Sequence, residues 1–552
     1  MSSTPGVAVA PAAGQCRRVV AASLGVALVV ATLLVSTAGD YGLTWDEPVY
    51  VQNVDDVSQW FVETFSHGVS GVRKNLDAGH LEQSWVFACP ENRNLPVPVL
   101  VSCVGRIIGG RWLAPLSSYR FGHCLLMAAT VAILFGCLAA SHGWEVACVT
   151  AGSLLFMPHL FAHSHLNATD VPVSCFWVLS MLAWLHGESS WRNSALAAIA
   201  CGMGLATKAT FVLLPLLLVA WTICFRRWGH WRAALLVLVL SPCVMILFCP
   251  MWWPAPLSRG LEYFRTVFHS DDVWKIDVYY LGETYIRGER SLPWHNGWVL
   301  LAATTPPWTL ALAVAGVLRG LRLRDATSTL WIMGGTVLPL LRMFPNTPGH
   351  DGARLLMPSL FCFAPLAGLG FAGLVARFRF LREGNRSAAA RWLVVVLLLA
   401  VSVAVLVSMH PYEMSYYSEA IGGLPGAAAL GFEISYWFDA YTPDALVAVQ
   451  RQLPRGARVW TIPKYEGYPQ LRQWGLWRED LVEGDYGDAD FLILYARKSR
   501  FHEIPIIADY YARGRPVWSL RCRGVQLIGL YPLRSARTPR DARTGAEDAV
   551  AP

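Results

Sequence analysis

The chain has 552 residues, of which 54% are hydrophobic and only 15% charged, and its mean hydropathy is +0.39. A soluble protein of this length carries about a quarter charged residues; here the apolar residues fall in long uncharged blocks, which excludes a purely soluble chain and marks a multi-pass membrane protein. The formal net charge of +7 comes from arginines in short segments between apolar runs, a pattern of membrane orientation rather than of nucleic-acid binding.

A membrane span needs roughly 20 mostly apolar residues. In chain order, spans are expected near 19–38, 121–140, 146–163, 171–187, 194–207, 209–225, 233–251, 298–318, 328–343, 354–376 and 392–409. The run 194–225 is divided at Lys208, because a charge at a turn is far less costly than one at mid-membrane. The stretch VPVLVSCVGRIIGG (97–110) is too short to span, contains Arg106 and reads as an interfacial or re-entrant helix. Arg17 and Arg18, Arg192, Arg226 and Arg227, Arg319 and Arg322, and Arg377 to Arg391 then share one side, so the N-terminus is expected in the cytoplasm and the C-terminus outside. Residues 1–39 also fit a cleaved signal peptide, although the apolar run exceeds the usual length of about 7–15 residues. Either way Asp46 emerges outside.

The expected organisation is a cytoplasmic segment 1–18, a transmembrane domain 19–409 with outer loops 40–118 and 252–297, and an outer tail 410–534. In the tail, DALVAVQRQL reads as a helix, ARVWTIP and ADFLILYAR as buried strands, and PVWSLRCRGVQLIGLYPL as a hairpin, giving a small α/β domain. Residues 535–552 are polar and expected to be disordered. Most cysteines lie inside apolar runs, as small hydrophobes. Cys89 and Cys522 lie outside them, where pairing is open but not required by their spacing.

Five stretches carry candidate chemistry. DYGLTWDEPVY presents Asp46 and Glu47 directly beyond the first span, where an acid can take a proton while a lipid-borne donor arrives from the bilayer. The same residues also read as a helix start capped from Thr44. HLFAHSHLNATDVP brings Asp170 to the same face, either as a second acid or as a helix cap; its His163 and His165 are open to a metal or an interfacial reading. Asn167 and Asn385 sit in glycosylation sequons by pattern, the first close to the membrane and the second on the cytoplasmic side. GLATKAT places Lys208 at the outer face, as a phosphate partner or a snorkelling lysine. NTPGHDGARLLMP opens a span with His350, Asp351 and Arg354, the last a candidate phosphate clamp. HPYEMSYYSEAIGG…ISYWFDAY is rich in aromatics and suits stacking on sugar rings or packing on the membrane face.

In order and sidedness these stretches resemble the GT-C-fold glycosyltransferases that use polyprenyl-phosphate sugars, the superfamily of protein O-mannosyltransferases and lipid A aminoarabinose transferases. The matching residues are TWDEPVY, TDVP, GLATKAT, HDGARLLMP and HPYEMSYYSEAIGG…ISYWFDA, and the resemblance covers most of 19–440. It departs where a basic residue or His-Pro-Pro in the first loop is replaced by ENRNLPVPV, where Ala209 stands for a glycine, and where Ser418 stands for an asparagine.

The resemblance implies a multi-pass α-helical GT-C-like fold in the plasma (inner) membrane and transfer from a polyprenyl-phosphate-linked donor to a protein, lipid or glycan acceptor outside. Asp46 is the expected base, with Glu47 orienting the acceptor or sharing the proton, Asp170 positioning the acceptor or stabilising the oxocarbenium-like centre, and Lys208 and Arg354 stabilising the departing phosphate. Tyr50, His350 and Asp351 are expected to line the substrate site. No cofactor is expected, and a divalent metal is left open. The rivals are a metal-dependent oligosaccharyl transferase and a lipid or sugar transporter; clustering of ionisable groups at one face beside large outer loops favours an enzyme over a transporter.

Overall fold

The structure is a computed structural model and describes residues 13–66, 68–188, 190–268, 276–286, 288–382 and 387–533. The Asn385 sequon and the polar segment 535–552 lie outside the described residues.

The chain is mostly helical and membrane-spanning. Five helices are long and apolar enough to cross a bilayer: Gly14–Thr37, Pro115–His142, Trp228–Leu247, Arg354–Arg377 and Ser387–Met409. The other expected spans are shorter helices, including Asp170–Leu185, Trp191–Leu205 and Ala326–Leu341. Two expected spans are broken by proline. The run 146–163 divides into Trp144–Leu155 and Pro158–His163, with Met157 extended at ψ 116°, and 298–318 divides into Asn296–Thr304 and Pro307–Leu323. A residue before proline is pushed out of the helical region, and a proline then suits the first position of a new helix. The chain does turn at Lys208, which is extended between Trp191–Leu205 and the short 3-10 helix Ala209–Val212.

Small residues set how closely the helices meet. Val97–Gly109, the helix too short to span, packs on both Glu47–Ser66 and Pro115–His142. A Cβ on Gly105 would lie 2.2 Å from the backbone nitrogen of Gly122, so these two backbones touch directly. Pro307–Leu323 and Met357–Arg377 meet in the same manner at Gly316.

A short antiparallel hairpin, β1 (Val278–Tyr280) and β2 (Glu283–Tyr285), lies in the second outer loop. The tail builds a five-stranded sheet from β3 (Arg458–Ile462), β4 (Val482–Glu483), β5 (Phe491–Tyr495), β6 (Trp518–Cys522) and β7 (Val525–Pro532), in the order β4-β3-β5-β7-β6. β3 runs parallel to β4 and β5, whereas β7 is antiparallel to β5 and β6. Helix Pro443–Gln452 opens on Thr442, whose hydroxyl accepts from the Ala445 amide at 3.2 Å. The expected helix, strands and hairpin of the tail thus fall where the sequence pattern puts them. Cys89 and Cys522 are both free thiols.

The aromatic segment 410–441 is not an open stacking surface. Tyr416, Tyr417, Tyr436, Trp437, Phe438 and Tyr441 are all buried, and they join the tail to the first outer loop. Gly42 and Trp45 donate their amides to Asp439 and Trp437 carbonyls, both at 3.0 Å, and the Tyr465 hydroxyl reaches the Leu43 carbonyl at 2.8 Å. Where the first and last spans meet, His410 contacts Glu413 at 2.7 Å and Asp40 at 3.0 Å, and Tyr41 donates to Glu413 at 2.9 Å.

The hydrogen bond to Glu413, helped by Asp40, raises the His410 pKa to about 8. An unfolded histidine titrates near 6.5, so this tie is fully stabilising below about pH 6.5 and is lost as pH rises through about 8. Thermal unfolding in detergent is therefore expected to show a midpoint that falls across this window. His410→Gln should remove that slope; a slope that survives the substitution assigns it to another group.

Candidate active site

The site begins with the chain's exit from the first helix. Residues 41–44 are buried, and Glu47–Ser66 starts with Glu47 turned back on Thr44, whose amide and hydroxyl donate to Glu47 Oε2 at 2.9 and 3.0 Å. This is half of a capping box. Arg120, fully buried on Pro115–His142, completes it. Its Nε and Nη2 bind Glu47 at 2.8 and 2.6 Å, Nη1 reaches the carbonyls of Ala38 and Tyr41, and Nη2 also reaches Gly42. All five guanidinium N–H donors are thus used on one short segment. The Asn167 amide donates to Glu47 Oε1 at 3.0 Å, which ties the first loop to the next. Burial alone would raise the Glu47 pKa, but Arg120 and these amides outweigh it and hold the carboxyl below its usual range. Glu47 thus has both oxygens engaged and ties the loop to Arg120 and to residue 167.

Asp46 points the other way. Its side chain is 34% exposed and its Oδ2 accepts from Arg354 Nη2 at 2.8 Å. Arg354 also binds Asp170 through Nε at 2.6 Å and Asp351 through Nη1 at 3.0 Å, and its guanidinium lies 3.9 Å over the Trp437 ring. Asp170, the first residue of Asp170–Leu185, accepts from Lys208 Nζ at 2.7 Å through its other oxygen. Asp351 sits at a positive φ of 58°, next to Gly352 at the same value, and its second oxygen accepts from Arg497 Nη2 at 2.9 Å. Three carboxylates and three cations therefore alternate in one network. Burial raises the Asp46 pKa; Arg354 opposes that, and the charges of Asp351 and Asp170 add to it.

Tyr50 is buried beside Asp46, with its hydroxyl on the Thr169 side chain. His350 stands next to Asp351 and is neutral, because burial pushes its pKa down to about 4. Of the two histidines offered as metal candidates, His165 has both ring nitrogens engaged, on the Phe161 carbonyl and the Thr37 hydroxyl at 2.7 and 2.8 Å. His163 lies tilted against Trp437 with Nε2 3.4 Å from the Tyr436 hydroxyl, and its buried Nδ1 has no partner among the described residues. Among the described residues, the one group of three side chains within metal-binding reach of one another is Asp277, His502 and Glu503, two of them exposed.

Sequence reasoning missed Arg120 and Arg497, whereas Tyr436 and Trp437 lie in the aromatic stretch it singled out. Arg120 had a signal, being an arginine at the head of an apolar helix; Arg497 had none, since it comes from the far end of the tail.

Residues 113–253 match the dolichyl-phosphate-mannose-protein mannosyltransferase family, a stretch that includes Arg120, Asp170 and Lys208. No curated protein matches the sequence. Among solved structures, ArnT from Cupriavidus metallidurans bound to undecaprenyl phosphate is similar at 15% identity, over 93% of this chain and 97% of that one, with a TM-score of 0.48. The archaeal oligosaccharyltransferase AglB from Archaeoglobus fulgidus, in complex with an inhibitory peptide and a dolichol-phosphate, is similar at 12% identity, over 89% and 70%, with a TM-score of 0.43. Both likenesses are loose.

Removing one partner of a buried ion pair leaves an uncompensated charge, typically at a cost of about 3–5 kcal/mol. Glu47→Ala and Arg120→Ala should each lower the unfolding temperature markedly. Pairing Glu47→Gln with Arg120→Met should recover much of that loss, because no buried charge remains. A double variant as unstable as the worse single one would show that hydrogen-bond geometry, not charge, is what the pair supplies.

Proposed function

We propose that the protein is a membrane glycosyltransferase that moves a sugar from a polyprenyl-phosphate donor to an acceptor outside the cytoplasm, with Asp46 as the base. The observation that carries this reading is the asymmetry of the acidic network. Asp170, Asp351 and Glu47 are buried and have both oxygens on cations or backbone amides, whereas Asp46 is a third exposed and, among the described residues, its Oδ1 accepts no hydrogen bond. That oxygen is free to take the proton of an acceptor hydroxyl or amine as the acceptor attacks the anomeric carbon. The bond to the phosphate breaks with its electrons on the leaving oxygen, and a single displacement of this kind inverts the centre. The raised pKa of Asp46 makes it a stronger base than an ordinary aspartate, and activity is expected to fall with pH as it is protonated.

The roles of the cations are revised accordingly. Arg354 gives three of its five N–H donors to three carboxylates and its single charge is shared among them, so it organises the acids. Lys208 is 24% exposed and has donors beyond the one given to Asp170, which makes it the cation that meets the departing phosphate. Tyr50 and His350 border the same space. Because Asp46, Asp170 and Asp351 each already hold a cation, a divalent metal would have to displace an arginine or lysine. The reading is therefore of transfer without metal, on an eleven-span chain in the plasma membrane with its tail domain 410–534 outside.

Purified protein supplied with a polyprenyl-phosphate sugar should transfer it in EDTA. Asp46→Asn should insert normally and lose about 10²-fold or more in turnover, the range for a missing acid/base group. Near-normal turnover in this variant removes Asp46 as base; loss of activity in EDTA with recovery in Mn²⁺ would instead favour the metal-dependent oligosaccharyl reading. For topology, reporters fused after residues 75, 280 and 450 should read outside and those after 230 and 385 cytoplasmic. One inversion among them defeats the single-faced site.

A further inference from the structure

Arg497 belongs to none of the motifs that point to the site, yet it is wired into it. It follows β5, an interior strand of the tail sheet flanked by β3 and β7, so its backbone is held by a packed sheet. Its side chain is 6% exposed. Nη1 donates to the Tyr436 carbonyl at 2.8 Å, Nη2 to Asp351 at 2.9 Å, and the guanidinium lies 5.1 Å over the ring of Trp45, the neighbour of Asp46. The residues after it are fixed as well: the buried Glu433 accepts from the Lys498 and Ser499 amides at 2.6 and 2.9 Å. From Arg497 an unbroken line of alternating charge runs through Asp351 and Arg354 to Asp46, at 2.9, 3.0 and 2.8 Å. It begins in the tail and ends in the first outer loop.

We infer that Arg497 is a positioning residue for the transfer reaction: by neutralising Asp351 it sets how much of Arg354 is left for Asp46, and so sets the proton affinity of that carboxylate. This rests on the reading of Asp46 as the base. The groups facing Asp46 are Arg354, Asp351, Asp170 and Tyr50; those facing Asp351 are Arg354, Arg497, His350, His163, Tyr436 and Asp46 itself. His350 is neutral, so the charge balance at Asp351 lies between the two arginines. Without Arg497, the full charge of Asp351 falls on Arg354 and on Asp46. Both effects favour a proton on Asp46.

If Arg497 merely docks the tail, its loss lowers stability and activity without moving the titration of Asp46. The two cases separate in an experiment that needs no substrate. Carbodiimides attack protonated carboxyl groups, so labelling of Asp46 in the full-length protein in detergent, read by peptide mass spectrometry from pH 4 to 9, reports its titration. In Arg497→Gln, which keeps amide donors but loses the charge, the labelling midpoint should rise by about one pH unit, the size expected for one nearby partly buried charge. Arg497→Lys keeps the charge and should leave it within a few tenths of wild type. Asp351→Asn tests the same line with the opposite sign and should lower the midpoint, which covers the case in which Arg497→Gln does not fold. An unmoved midpoint in Arg497→Gln, equal shifts in the glutamine and lysine variants, or an Asp351→Asn midpoint at or above wild type overturns the inference. The base role fails separately, if Asp46→Asn retains turnover while these midpoints still move.

Discussion

Arg354 holds the site together because it is the one cation shared by carboxylates from three separate loops. Asp46 arrives from the first outer loop, Asp170 from the head of a helix, and Asp351 from the turn just before Arg354 itself. Three acids this close would repel one another strongly in a medium of reduced dielectric. A planar guanidinium with donors along three edges satisfies all of them at once, where an ammonium would act as a point charge. Trp437 covers its face and keeps water from competing.

That arrangement leaves unequal acids. Where a carboxylate has two cationic or amide partners it is a structural element, fixed and unavailable, as Glu47 is between Arg120 and its amides. Where it has one partner and an open oxygen, as Asp46 has, it keeps the capacity to move a proton. The adjacent pair Asp46-Glu47 thus divides into a partly open and an anchored carboxylate, because a helix start sends consecutive side chains in different directions: one to Arg354 and one into the Arg120 socket.

The tail is part of this centre. Its aromatic segment runs alongside residues 42–45 through backbone hydrogen bonds, and Arg497 closes the charge network from the tail's side. The loop that carries Asp46 is therefore braced on one side by a membrane helix, through Arg120, and on the other by the tail.

The membrane-spanning character, the turn at Lys208, and the helix, strands and hairpin of the tail were legible in the sequence, because hydrophobic period and run length report local burial. So were Asp46, Asp170, Lys208, Asp351 and Arg354 as candidates, because charges next to apolar runs are costly and need a reason. What each of them does was not legible. Glu47 read as a second acid, but Arg120, 73 positions away, binds it; Arg354 read as a phosphate clamp, but it also bridges three acids; and the aromatic segment read as a sugar-stacking or membrane-packing surface, but residues 42–45 lie on it. Proline breaks in two expected spans followed a local rule that run length alone had overridden. Composition and period determine which residues leave water, but which charge neutralises which is a matter of distance across the fold, and only the tertiary structure decided that.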